Sequence, residues 1–235
     1  MINLTNRSYQ KEILDNDDIP FADIKQNMKE LNSINKWLGG HKITIAGLEA
    51  LIERHNLTRP ICICEIGCGC GYNLIAINEF CISRNIPVHF IGIDIKTECI
   101  EFAKEQHIFL NANWITSDYK NVGFGENKPD IIFSSLLCHH FNEAELKNMM
   151  QWMQQNTTIG FFINDLQRHP LAWYSIKWLT SIFSKSYLVK HDAPLSVARG
   201  FKKNEWDHIF KTAGINNFSI KWKWAFRYLI ICRNV

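Results

Sequence analysis

Glu65, Asp94 and Asp118 each close a short apolar run, and Gly67, Gly69 and Gly71 follow the first of them at alternate positions. Carboxylates accept hydrogen bonds from hydroxyl and ammonium groups, and glycines let a ligand come up to the backbone. A second group of residues is basic: Cys138-His139-His140-Phe141, then Asp165 followed by Arg168 and His169. Imidazole takes up a proton near neutral pH, and a carboxylate close by raises its pKa and fixes its tautomer. The first set is suited to holding a polar ligand and the second to moving a proton.

The elements that must carry these residues follow from the apolar pattern. Ile61 to Ile66 reads as a buried strand that breaks into the glycine turn, and a helix beginning near Tyr72 presents free N–H groups to a ligand. Val88–Asp94 is a second strand whose terminal acid falls at roughly the 20-residue spacing of a ribose-binding carboxylate. Ala112–Asp118 is a third. Pro129–Leu137 and Ile159–Asn164 are strands four and five, with a helix between them that Asn142 and Glu145 open as a reciprocal cap. Helices over Leu171–Phe183 and Asn204–Ala213 precede a closing strand pair, Phe218–Phe226 and Arg227–Cys232. Such alternation argues for a parallel sheet covered on both faces. Ahead of it, Ile24, Met28, Leu31, Ile34 and Leu38 lie at helical spacing up to Gly39-Gly40, and a second helix runs from about Ile45 to His55.

The pattern Glu-x-Gly-x-Gly-x-Gly differs from the dinucleotide fingerprint, whose third glycine comes one residue later. With Asp94 and Asp118 in step, it resembles motif I and its followers in the class I S-adenosylmethionine-dependent methyltransferases. The resemblance implies an α/β fold with a Rossmann-like seven-stranded sheet and helices on both faces. It implies a helical lid over residues 1–58, a methyltransferase domain over 59–235, and a substrate-covering insertion at about 165–203. S-adenosyl-L-methionine would be the cofactor and S-adenosyl-L-homocysteine the product, held by Glu65, Gly67, Cys68, Gly69, Gly71, Asp94, Ile95, Ser117, Asp118 and Ser134. The stretches Asp165–Tyr174 and Leu195–Phe201 look similar to bacterial small-molecule methyltransferases associated with phenolic polyketide and quinone-type products.

In that arrangement strands four and five face the acceptor. His169, with Asp165 four residues before it, is the first candidate for accepting a phenolic proton, while His139 and His140 either share that role or shape the pocket. Arg168 and Arg199 either hold an acidic substrate group or pair with Asp165 and Asp192. Trp173 and Tyr174, with Trp37 from the N-terminal helix, either line an acceptor pocket or pack the core. Methylation of a phenolic oxygen is the leading reaction; methylation of a ring carbon would use the same base.

Composition narrows the field. Hydrophobic content of 46% with 21% charged residues suits a globular protein, and a net charge of +3 without a Lys/Arg tract argues against nucleic acid. Ser134-Ser135-Leu136-Leu137 also replaces the Asn/Asp-Pro-Pro-aromatic run of base-amino methyltransferases. No membrane span and no signal peptide are expected, which points to a cytoplasmic monomer or homodimer. Cys62, Cys64, Cys68 and Cys70 lack the paired spacing of a zinc site, so no metal is expected. A non-catalytic cofactor-binding protein remains the alternative of a different class.

Overall fold

Strand β1 (Ile61–Ile66) sits at the centre of the molecule because both of its faces are apolar. Ile61 and Ile63 pack on one side of the sheet, with Phe133, Phe162, Leu229 and Ile231. Cys64 and Ile66 pack on the other, with Ile132, Phe161, Ile163 and Ile230. Alternation along a pleated strand produces this division. The computed structural model describes residues 3–16, 18–53, 55 and 58–234.

The other strands are β2 (Val88–Asp94), β3 (Ala112–Thr116), β4 (Ile131–Ser135), β5 (Gly160–Leu166), β6 (Phe218–Lys223) and β7 (Arg227–Arg233). They form one seven-stranded sheet in the order β3-β2-β1-β4-β5-β7-β6. β7 runs antiparallel to both β5 and β6, and the remaining pairs are parallel. The strand order reverses between β1 and β4, so a crevice opens beyond their carboxyl ends.

Helices α2 (Gly40–Ile52) and α3 (Tyr72–Ser83) cover the first face, through Leu48, Leu51, Leu74 and Ile77. Helices α5 (Glu143–Gln155) and α8 (Lys203–Thr212) cover the second, through Leu146, Met149, Met150, Trp206 and Phe210. Burial of each such side chain stabilises the fold by about 1.5–3 kcal/mol. Helices α1 (Phe21–Trp37), α6 (Pro170–Phe183) and α7 (Tyr187–Arg199) gather above the crevice, while α4 (Thr97–Gln106) follows β2. None of the described helices is long and apolar enough to cross a membrane.

Two elements differ from the sequence-based expectation. Helix α1 ends just before the glycine pair, as expected, but the second helix begins at Gly40 rather than near Ile45, with Gly39 at a left-handed φ of 76° as its N-cap. A Cβ on Gly40 would lie 1.7 Å from Asn35 Oδ1, so the corner between α1 and α2 requires glycine there. Helix α7 was not apparent because Pro194 lies inside it. Proline removes one helical N–H, yet the Ser186 side chain caps the first turn and Asp192 and Val197 are buried.

Candidate active site

The glycine turn and its acids make one end of the crevice. Gly67, Gly69 and Gly71 all have positive φ, at 68°, 49° and 78°. A Cβ on Gly69 would meet only Met28 Sδ, at 3.5 Å, so a ligand can reach this stretch of backbone. A Cβ on Gly71 would instead strike Trp114 at 2.6 Å; this glycine serves packing and the start of α3. Asp94 accepts hydrogen bonds from the Gly69 N–H (2.7 Å) and the Lys96 N–H (2.9 Å), which ties the turn to β2. Glu65 is fully buried and accepts from Asn73 Nδ2 (2.7 Å), while its Oε2 has no partner among the described residues. Burial pushes the Glu65 carboxyl well above the ordinary carboxylate range, and Asn73 only partly opposes it. From Asn73 the network continues through His41 Nδ1 (3.0 Å) and His41 Nε2 to Asn32 (2.8 Å), linking α3, α2 and α1.

The other end is built from a 3₁₀ turn after β4, Cys138–His140, and from the segment that precedes α1. Asp165, fully buried on β5, accepts from His139 Nδ1 (2.9 Å), the Cys138 N–H (2.7 Å) and the Leu166 N–H (2.7 Å). Burial raises its pKa, but His139 and the two N–H groups more than offset that and hold it below the ordinary range. An ionised carboxylate only accepts, so Nδ1 of His139 carries a proton. His140 repeats the arrangement with Asp15, Nδ1 to Oδ1 at 2.9 Å. Glu12 lies between the two rings, its oxygens 3.6 Å from His139 Nε2 and 3.8 Å from His140 Nε2. Burial raises the Glu12 pKa against the pull of His140.

The segment carrying Glu12 and Asp15 is fastened across the site. Asp192 accepts the Ile13 and Leu14 N–H groups at 2.9 and 3.0 Å. Arg7 donates to the carbonyls of His139 and Phe141 (3.2 and 3.0 Å). Both ends face one cavity of about 790 Å³, lined by Gly67, Gly69 and Asp94 on one side and by Glu12, His139 and His140 on the other. Its walls are largely apolar, from Leu31, Ile34, Leu136, Leu137, Ile176, Leu179 and Phe226. Arg227 also lines it, 3% exposed, with Nη1 lacking a partner among the described residues. Burial lowers the Arg227 pKa to about 10, opposed in part by Asp165.

Several expected site residues fall elsewhere. Asp165 belongs to His139, not to His169, whose Nδ1 accepts the Leu171 N–H (3.2 Å) as the cap of α6 and whose ring stacks on Phe226 at 5.0 Å. Arg168 is paired with Glu205 (2.6 Å) and the Leu4 carbonyl (3.0 Å). Arg199 holds the His139 and His140 carbonyls (3.1 and 2.9 Å) and Asp15 (3.1 Å), so it shapes the histidine turn from beneath. Helix α6 turns Ala172, Ser175, Ile176 and Leu179 to the cavity, which leaves Trp173 off its wall and Tyr174 half exposed at 50%. Trp37 is 73% exposed and lines a separate, smaller recess with Trp224.

At the cofactor end, Cys68 and Ile95 line the cavity, but Glu65, Gly71, Ser117, Asp118 and Ser134 do not. Ser134 is fully buried against Cys138 Sγ (3.4 Å), and its neighbour Ser135 takes the cavity face. Asp118 caps its own short turn by accepting the Lys120 N–H (3.0 Å). Sequence reasoning passed over Glu12, Asp15, His41, Asn73 and Arg227: none lies in a motif, and Glu12 and Asp15 meet histidines more than 120 residues away. The eight cysteines are free thiols, and all but Cys62 are buried.

Residues 63–160 match the family model described as a methyltransferase domain. Over 135 residues the chain is 25% identical to "Phosphoethanolamine N-methyltransferase 1" of Arabidopsis thaliana, covering 54% of this chain and 26% of that protein. The chain thus spans about a quarter of the length of the curated relatives it matches. In fold it is similar to the plantazolicin methyltransferase BpumL, solved in complex with a monoazolic desmethylPZN analog and SAH, with a TM-score of 0.68 at 17% identity over 92% of both chains. It is also similar to the CMeT domain of the citrinin polyketide synthase, with a TM-score of 0.58 at 14% identity over 80% of this chain and 51% of that one.

Proposed function

We propose that this chain is a class I methyltransferase that transfers a methyl group from S-adenosylmethionine to a small aromatic or polyketide acceptor, at a phenolic oxygen. The observation that carries this reading is a single cavity whose ends are chemically unlike: a glycine turn with the Asp94 carboxylate at one, oriented imidazoles at the other. The glycine end fits the cofactor. Gly69 leaves room for close approach and Asp94 retains acceptor capacity beside its two backbone bonds, while the buried Glu65 stands behind the turn and is held by Asn73. When bound, the cofactor supplies an electrophilic methyl group on a sulfonium.

The protein's own part is alignment and proton removal. Fixing two reactants in attack geometry can lower a barrier by about 7–11 kcal/mol. A positioned base adds about 10²–10⁴-fold. Asp165 and Asp15 hold the two Nδ1 atoms, so that both Nε2 atoms and Glu12 face the acceptor end. A phenol, with a pKa of about 10, is within reach of such a group. The apolar walls favour an aromatic or aliphatic acceptor over phosphoethanolamine, the compound in the relatives' name. Arg227 would pair with an acidic group on that acceptor. Carbon methylation beside a phenolic hydroxyl would use the same groups.

Calorimetry with S-adenosylhomocysteine tests the cofactor half. One molecule should bind per chain, and Asp94→Ala should weaken binding by about 1.5–3 kcal/mol. Unchanged affinity in that variant would move the cofactor away from this turn. Turnover of a panel of phenolic acceptors tests the other half, and a protein that binds the cofactor yet methylates none of them would count against the assigned acceptor class.

A further inference from the structure

Glu12, His139 and His140 converge at the acceptor end of the cavity, where Glu12 Oε1 also accepts from Ser196 Oγ (2.8 Å). The Nε2 atoms of His139 and His140 stand 3.6 and 3.8 Å from the oxygens of Glu12. Those separations exceed hydrogen-bonding distance. They match the edge of a coordination shell in which each ligand lies about 2.0–2.2 Å from a shared ion. The ligand atoms of these three residues all lie within 4.8 Å of one another.

The surroundings are those of a metal site. Each ring donates its Nδ1 proton to a carboxylate, Asp165 for His139 and Asp15 for His140, both at 2.9 Å. Carboxylate–histidine–metal triads of this kind orient the ligand and raise its basicity. Asp165 and Glu12 are buried, and no Lys or Arg pairs with the Glu12 carboxylate among the described residues. Arg199, beside the turn, is engaged with Asp15 and with the two histidine carbonyls. Arg7 is engaged with backbone carbonyls.

We infer that Glu12, His139 and His140 bind one divalent transition-metal ion, of the zinc or ferrous class, with its remaining positions open to the cavity. Two imidazoles and one carboxylate select such ions over magnesium or calcium, and three protein ligands with an open position mark a site that also takes substrate. The inference rests on the methyl-transfer reading with the acceptor at this end, and puts a bound ion in place of the imidazole base. The ion would hold the acceptor oxygen and lower its pKa, so the proton leaves to water without being taken by an imidazole. The oxygen then forms the new O–C bond while the C–S bond breaks and its electron pair stays on sulfur.

The test uses the untagged full chain, stripped with a chelator and dialysed. Titration with Zn²⁺ by calorimetry should show one ion per chain, and Co²⁺ should give the visible absorption of a low-coordinate nitrogen–oxygen site. Glu12→Gln and His140→Ala should abolish both signals, and Asp15→Asn should weaken Zn²⁺ binding by about 10–100-fold. S-adenosylhomocysteine affinity, measured at the opposite end of the cavity, should be kept in all three variants and reports that they are folded. X-ray absorption of the Zn²⁺-loaded wild type reads the ligand shell with no substitution at all. Lack of stoichiometric binding in the wild type, or a shell without two imidazole nitrogens, would overturn the metal site. Retained phenol methylation in the stripped enzyme would overturn the ion's part in catalysis while sparing the methyltransferase reading.

Discussion

His139 and His169 carry the same ring in opposite circumstances. His139 is buried, oriented by Asp165, and faces the cavity with Nε2; His169 caps a helix. His139→Asn keeps an amide N–H for Asp165 and removes the second nitrogen, so kcat should fall by about 10²–10⁴-fold while cofactor affinity holds. His169→Ala should leave kcat within about twofold and lower stability by about 0.5–2 kcal/mol, the usual loss of a helix cap. Steady-state kinetics and thermal unfolding of the pair read both outcomes, and a large kcat loss in His169→Ala alone would return the proton to that residue. Arg227 poses a different question. A buried guanidinium with an unpartnered nitrogen is retained at a cost to the fold, so Arg227→Met should be neutral or raise Tm. The same change should raise KM for an acidic acceptor, and a clear drop in Tm would show the charge to be structurally paired.

At the scale of the element, the glycine turn divides its labour among its three glycines. Gly71 is held against Trp114, whereas Gly69 borders the cavity with room for a methyl group. An alanine at either position bears the left-handed penalty of about 1–2 kcal/mol. Gly71→Ala adds overpacking, typically about 1–3 kcal/mol, and should therefore be the less stable variant. Gly69→Ala should be the weaker binder of S-adenosylhomocysteine. Chemical denaturation set beside calorimetry gives the two rankings, and a common order in both would show that the two glycines share one role. The strap ahead of α1 matters at this scale as well. It brings Glu12 and Asp15 to histidines well over a hundred residues away, and Asp192 on α7 holds it by two backbone hydrogen bonds.

Across the whole molecule, the sheet edge opposite the cavity is tied by a single carboxylate. Asp130 accepts from Arg59 (2.8 and 2.6 Å), the Cys62 N–H (2.9 Å) and Thr158 Oγ (2.9 Å), joining the starts of β1, β4 and β5. Burial raises the Asp130 pKa, but these donors prevail and hold it below its ordinary value. A depressed folded pKa contributes stability above the unfolded value, and that stability drains away as pH falls through the folded pKa. Wild-type stability should therefore decline below about pH 4. Asp130→Asn should cost about 1.5–3 kcal/mol at neutral pH and show a shallower acid decline. Urea unfolding at several pH values measures both, and parallel acid profiles would remove Asp130 from the acid response.

What the sequence by itself determined is local: strands with two apolar faces, a turn that demands glycine, and acids where strands end. These follow from periodicity and backbone sterics within a few residues; the seven-stranded sheet was implied only through the family resemblance. The partners inside the crevice were decided only by the tertiary structure. Asp165 and His169 lie four apart in sequence, a spacing that brings side chains together on a helix. Here the chain is extended at the end of β5, where four residues span roughly 13 Å. The sheet instead sets Asp165 beside the turn after β4, and its carboxylate meets His139. Glu12 and Arg227 gave no local signal, because a lone charged residue reads as surface until long-range packing buries it. Packing of α1, α6 and α7 over the crevice supplied that burial, and with it the chemistry of the site.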